Sequence, residues 1–140
     1  MVIDVRATRQ SEIDSKRKTA LAEYPALWQQ MIDHWRHATS DTAWLMYAAN
    51  YLFHTAGVRW AIDPYALPTR FKHSYLPDFE KDLSELDVVV FTHAHADHLD
   101  LNLVSALQNR PITWVIPAFM LEKINQAVRL PQNQIVVPQA

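Results

Sequence analysis

The sequence predicts an α/β protein in which helices cover a mixed β-sheet. Three observations carry that prediction. Between residues 11 and 38 apolar side chains recur at helical spacing. Residues 42–64 are dense in aromatic and β-branched residues and poor in helix caps, as strands are. From Asp87 onward short apolar runs alternate with helical segments, the rhythm of strands joined by crossover helices.

The helix comes first. Leu21, Tyr24, Leu27, Trp28, Met31, Ile32 and Trp35 follow i, i+3, i+4 and i+7 steps and form one apolar face. Ser11 suits its N-cap. Pro25 is expected to kink or divide it, because proline cannot donate to the ladder and crowds the preceding turn. The stretch "ATSDT" at 38–42 ends it. The five basic residues among the first 18 read as a solvated helix face. Residues 1–40 thus form an N-terminal helical segment, and 41–140 the α/β part.

Within "TAWLMYAANYLFHTAGVRWAIDP" two or three strands are expected. "NYLFHTAGVRWAID" reads as a hairpin turning at Ala56-Gly57, where the chain's one glycine allows φ > 0. Asp63-Pro64 stops the strand. An irregular loop, "YALPTRFKHSYLPD", leads to a short helix near Phe79–Leu86. "DVVVFT" has the continuous apolar character of a strand buried on both faces. A helix ("LNLVSALQ"), a strand ("ITWVIP"), a helix ("AFMLEKINQAV") and a strand ("QIVV") complete the order. Trp28, Trp35 and Trp44 are assigned to the core, and His34, His37 and His54 to structural or surface roles.

The totals narrow the function. A chain of 140 residues suffices for one domain with a real core. Thirteen basic and fifteen acidic residues give a net charge of -2, which argues against a general nucleic-acid binder. With no cysteine, disulfides and thiolate metal sites are excluded, and any metal must be held by nitrogen and oxygen. No apolar run approaches the roughly 18 residues of a membrane span. The N-terminus lacks a secretory apolar segment, and Asp4, Glu12 and Asp14 count against a transit peptide, so a cytoplasmic location is expected. One glycine rules out a Gly-rich phosphate loop, and no serine stands in a G-x-S-x-G elbow.

The chemistry gathers in "VVVFTHAHADHLDLN". Three of the seven histidines and two aspartates fall within eight residues, directly after a buried strand. In extended chain alternate side chains share a side, so His93, His95 and Asp97 can converge, and a turn after Asp97 brings in His98. Imidazole suits zinc and iron, and a carboxylate also tolerates manganese. Four ligands this close are too crowded for one tetrahedral ion. They suit two divalent ions about 3.5–4 Å apart that activate a bridging water. A calcium loop from Asp97, Asp100 and Asn102 is a poor competitor, because histidine is not a calcium ligand and the loop glycine is absent.

"THAHADH" resembles the H-x-H-x-D-H motif of the metallo-β-lactamase superfamily, whose fold is an αββα sandwich. The resemblance extends over residues 42–140 through "WLM", "GVRWAIDP" and "DVVVFTH". The sequence "HLDLN" looks like the branch of ascorbate-phosphate lactonases and N-acyl phosphatidylethanolamine phospholipases D, although Tyr47-Ala48-Ala49-Asn50 replaces that branch's G-H-A/S-like stretch. The resemblance implies a first metal on His93 and His95, a second on Asp97 and His98, and Asp63 as their support from the strand end. Asp97 is also the candidate catalytic carboxylate. Tyr65, Arg70 and His73, in the loop before the ligand strand, are candidates for meeting a small, anionic substrate. The expected function is hydrolysis of an ester, lactone or phosphodiester by hydroxide held between two divalent ions, zinc foremost and manganese or iron as alternatives.

In that family the second half of the domain adds two histidines and a bridging aspartate. After His98 this sequence has no histidine and one aspartate, Asp100. The expectation is therefore the N-terminal half of such a sandwich, inactive alone, which self-associates or pairs with a complementing C-terminal half. The alternative is a non-catalytic metal-binding or interaction module derived from such an enzyme.

Overall fold

Helix α1 (Val5–Arg36) opens the structure, a computed structural model that describes residues 5–139. Three strands follow, β1 (Thr42–Leu45), β2 (Tyr51–Thr55) and β3 (Val58–Ile62), and then the short helices α2 (Leu67–Arg70) and α3 (Phe79–Asp82). The remainder is β4 (Val88–Val90), α4 (Leu101–Leu107), β5 (Thr113–Val115), a 3-10 turn leading into α5 (Leu121–Ala127), and β6 (Ile135–Val136). The six strands form one sheet in sequence order. The pairs β1/β2 and β2/β3 are antiparallel, and β3 to β6 run parallel. This is the mixed α/β architecture expected.

The register sorts side chains onto two faces. Leu52, Ala61, Val89 and Trp114 share one face and are fully buried. Crossovers that step one way across a parallel sheet lay their helices on the same side. Leu83, Leu103, Val104, Leu107 and Ile124 from α4, α5 and the end of α3 join that core. The opposite face carries Leu45, Phe53, Trp60, Ile62, Val90, Val115 and Val136 by the same register. Leu45 is 55% and Val136 48% exposed, and Phe53 and Trp60 stack on each other at 4.2 Å.

Helix α1 differs from its expected form in three ways. It already runs through Ser11, so Ser11 is an interior residue and not a cap. Pro25 does not divide it. One missing rung costs about 3 kcal/mol, and the buried residues around it, Tyr24, Trp28, Ile32 and Trp35, hold the helix by tertiary packing. The buried stripe is also narrower, since Leu27 is 55% exposed. Residues 5–20 are exposed throughout, basic side chains included. Arg17 pairs with Asp14 and lies 4.5 Å over the Phe71 ring. The docking is partly polar. Buried Asp82 accepts from Trp28 Nε1 (2.8 Å) and Gln29 Nε2 (3.3 Å), and Arg59 Nη2 donates to the Arg36 carbonyl at the helix end.

The hairpin turns at Ala56-Gly57, with φ of 49° and 81°. Gly57 is not alone on that side of the map: Asp63 (44°) and Lys72 (51°) also have positive φ. The loop expected to be irregular contains α2, which Pro68 starts, since proline fits the first helical turn. The helix expected to reach Leu86 ends at Asp82. Trp28 and Trp35 are core residues, and Trp44 packs against the core half-buried. His54 is buried with Nδ1 on the Ser40 carbonyl, a structural role. Among the described residues no helix is long and apolar enough to cross a membrane.

Asp100 ties loop to helix. It caps α4 by accepting from the Asn102 and Leu103 N–H groups, and it accepts from Thr69 Oγ1 at 2.7 Å. Burial raises its carboxyl above the usual 3.8 despite these donors. A raised native value means that the native state binds more protons just above pH 3.8, so stability falls as pH rises through that window. Asp100→Asn keeps an N-cap acceptor and removes the buried charge. It should be at least as stable as the parent at pH 7, with its advantage fading as pH is lowered toward 4. Asp100→Ala should lose about 1 kcal/mol through the cap. Urea unfolding across pH checks both.

Candidate metal centre

The centre forms where β3 and β4 end side by side. Ile62 pairs with Val90, and the Asp63 N–H donates to the Val90 carbonyl at 2.9 Å. Parallel strands thus deliver Asp63 and the segment from Thr92 to the same edge, where ligands collect in open α/β sheets. Asp63 is 1% exposed and has φ +44°, a conformation that aspartate tolerates better than most residues but that costs about 1–3 kcal/mol. Its carboxylate meets that cost with charge-assisted hydrogen bonds. Oδ1 accepts from the Thr92 N–H at 2.7 Å, and Oδ2 accepts from the Thr92 hydroxyl and from His98 Nδ1, the latter at 2.9 Å.

These bonds determine where the histidine protons sit. A hydroxyl has one proton, and an ionised carboxylate only accepts, so Thr92 donates to Asp63. Its oxygen is then the acceptor for His93 Nδ1 at 2.7 Å. His93 and His98 therefore both carry their proton on Nδ1, and both keep the Nε2 lone pair for a ligand. The His93 ring lies 4.0 Å from that of His98 and 4.4 Å from that of His95, between centroids.

The donor set fits a divalent metal. One ligand atom each from Asp63, His93 and His98 lies within 4.8 Å of the others. Geometry alone would allow Asp63 to be a direct ligand. Its oxygens already take three hydrogen bonds, so we assign it to orienting the histidines, as outer partners of metal-bound imidazoles do. That group holds two of the expected ligands, His93 and His98; His95 adjoins it through its ring contact with His93, and Asp97 is half-buried in the turn outside it. All are borderline to hard donors suited to zinc, iron or manganese.

The other expected residues are distributed unevenly. Tyr65 is 3% exposed and rests against Tyr47, with ring centroids 5.7 Å apart. Burial, with the charge of Asp100, pushes its phenol up to about 12, and Arg70 opposes that shift from nearby. His73 does not join the cluster. It accepts from the Tyr75 N–H and lines a groove against α1 with Arg17, Lys18 and Leu21. Three residues not singled out from sequence touch the centre. Thr92 links Asp63 to His93, Asn50 reaches the backbone of both Asp63 and Asp97, and Lys123 Nζ donates to the Ala94 carbonyl at 2.9 Å. Only Thr92 had a local signal, its place next to His93. The other two are brought in from just before β2 and from α5 by tertiary structure.

Residues 61–138, more than half of the chain, match the family described as "Beta-lactamase superfamily domain". The matched span begins in β3 and includes Asp63 and all four residues of the H-x-H-x-D-H cluster. A comparison with curated proteins gives no match.

Asp63→Ala should lower zinc affinity about 10- to 100-fold, the usual effect of losing an outer partner. Asp63→Asn, which keeps one acceptor, should cost less, and Thr92→Val should disturb His93 most, since it also removes one of the donors to Asp63. Zinc competition against a chromophoric chelator measures all three. An unchanged affinity in Asp63→Ala would reduce Asp63 to a strand-ending residue.

Proposed function

The chain belongs to the beta-lactamase superfamily, and from that premise we propose that it carries the histidine edge of a dinuclear hydrolase centre. The observation that supports this most is the pair of histidines whose Nδ1 atoms are turned toward one buried carboxylate, His98 directly and His93 through the Thr92 hydroxyl. In this reading His93 and His95 hold one ion, and Asp97 and His98 the other. Bound divalent ions, zinc foremost, supply Lewis acidity that activates water at neutral pH and polarises the substrate oxygen. The chain's own residues do the rest. Asp63 and Thr92 keep Nε2 of His93 and His98 free and aimed. The Asp97 carboxylate is the acceptor for the proton that the attacking water gives up. Arg70 and Lys123 put positive charge beside Tyr65 and beside Ala94. That charge favours an ester, lactone or phosphodiester with an anionic group.

Each ion takes two donors from this motif, whereas a catalytic zinc usually has three protein ligands and an open position. The reading therefore includes weak binding and slow turnover until further donors complete the shells. In the test, metal stoichiometry and hydrolysis of a generic phosphodiester and a lactone are measured with added zinc or manganese. His93→Ala or His95→Ala should empty one position, and Asp97→Ala or His98→Ala the other. Both ions retained in all four variants would remove the assignment. Selective metal binding with no hydrolysis under any condition would favour the alternative, a metal-binding module without catalysis.

We also propose that the open sheet face docks a second copy of the chain. Six strands at about 4.8 Å spacing make it roughly 29 Å wide. Its residues from Leu45 to Val136 include no charged side chain, so two copies can meet face to face without like charges opposed. Apolar faces of this extent mark interaction surfaces. Light scattering should give a mass above the 16.2 kDa of one chain, and Phe53→Lys should return it to that value. A parent chain that is monomeric at every concentration would refute the docking.

A further inference from the structure

Asn50 is fully buried immediately before β2, and every polar atom of its side chain is engaged. Oδ1 accepts from the Ala48 N–H at 3.1 Å. Nδ2 has two protons, and both go to backbone carbonyls: Asp63 O at 2.8 Å and Asp97 O at 2.9 Å. The Asn50 carbonyl in turn accepts from the Met46 N–H at 2.8 Å, so the residue is held from its own backbone as well. One amide therefore bolts together the residue that orients the histidines and a residue of the ligand motif, which come from different strand ends.

The two clamped positions are ones the chain would not hold by itself. Asp63 has φ +44° and precedes proline, two conditions that local backbone energetics disfavour together. Asp97 lies in the turn after the strand, where the Asp97 carbonyl has no ladder partner. Its neighbour His98 reaches Asp63 Oδ2 only if the two backbones keep their separation. His93 is placed differently, through Thr92, whose own N–H is fixed on Asp63 Oδ1. We propose that Asn50 is a positioning residue that sets the Asp97–His98 half of the centre against Asp63 and leaves the His93–His95 half largely to Thr92. This rests on the dinuclear reading above and assigns one residue to the geometry of one ion.

Asn50→Asp tests it, because the shape is kept while the donor aimed at two carbonyls becomes an acceptor. Leu52→Ala, a fully buried change in β2, controls for general loss of stability. Cobalt(II) titration followed by d–d absorption is run on the full chain, along with the Nδ1–H resonance of His98 in metal-free protein. Asn50→Asp should weaken one cobalt position about tenfold or more, alter its spectrum, and broaden or lose the His98 proton. Leu52→Ala should keep both signatures. Asn50→Ser, which reaches one carbonyl at most, serves if Asn50→Asp does not fold and should show a smaller loss of the same kind. Parent-like behaviour in the Asn50 variants, or the same loss in Leu52→Ala, overturns the assignment. Absence of cobalt binding in the parent would defeat the dinuclear reading instead, and the metal-free His98 signal would still decide whether Asn50 positions the turn.

Discussion

The Asp63 carboxylate organises this end of the molecule. It is nearly inaccessible to water, and its three donors come from residues that carry the ligand chemistry or stand next to it. An ionised carboxylate buried without partners would be prohibitively costly. Here the donors that offset the cost are the same groups whose orientation matters. His98 is fixed by donating to the carboxylate, and His93 by donating to the Thr92 hydroxyl that the carboxylate holds. The backbone strain of Asp63 is sustained by the same contacts and by the Asn50 amide beneath it.

The remaining architecture serves to bring those groups to one edge. The parallel pairing of β3 with β4 sets Asp63 level with the chain leaving Val90. Trp28, Trp35 and Ile32 close the helical side of the core, and the Trp28–Asp82 bond locks α1 onto α3. Asp100 performs a second capping task, joining α4 to the loop that contains α2. Three buried aspartates thus hold elements together through hydrogen bonds to neutral groups rather than through ion pairs with lysine or arginine. Buried polar groups of this kind specify one arrangement, because any shift leaves them unsatisfied.

Much of this is legible in the sequence because it is encoded locally. The alternation from Asp87 to Val136 shows directly, since each short β-branched run is bounded by a helical stretch. The hairpin shows because the chain's one glycine stands at its turn. The ligand cluster shows because its residues are adjacent. What escapes is what packing decides. Pro25 obeys its propensity only where nothing outweighs it, and in α1 the docking of Trp28, Ile32 and Trp35 does. The positive φ of Asp63 is invisible without Thr92 and His98 to explain it. Asn50 sits between Ala49 and Tyr51 with nothing local to mark it, and Lys123 looks like any helical lysine until α5 is laid beside the ligand loop.

The central claim is that Asp63, directly and through Thr92, fixes the protons of His98 and His93 on Nδ1 and leaves Nε2 to a metal. Long-range 1H–15N correlation spectroscopy on metal-free protein, at a pH where the imidazoles are neutral, reads the tautomers directly. The account predicts that His93 and His98 are both Nδ1–H tautomers and that their Nε2 signals move when zinc is added. Nε2–H tautomers at both positions, or zinc shifts on Nδ1, would contradict it.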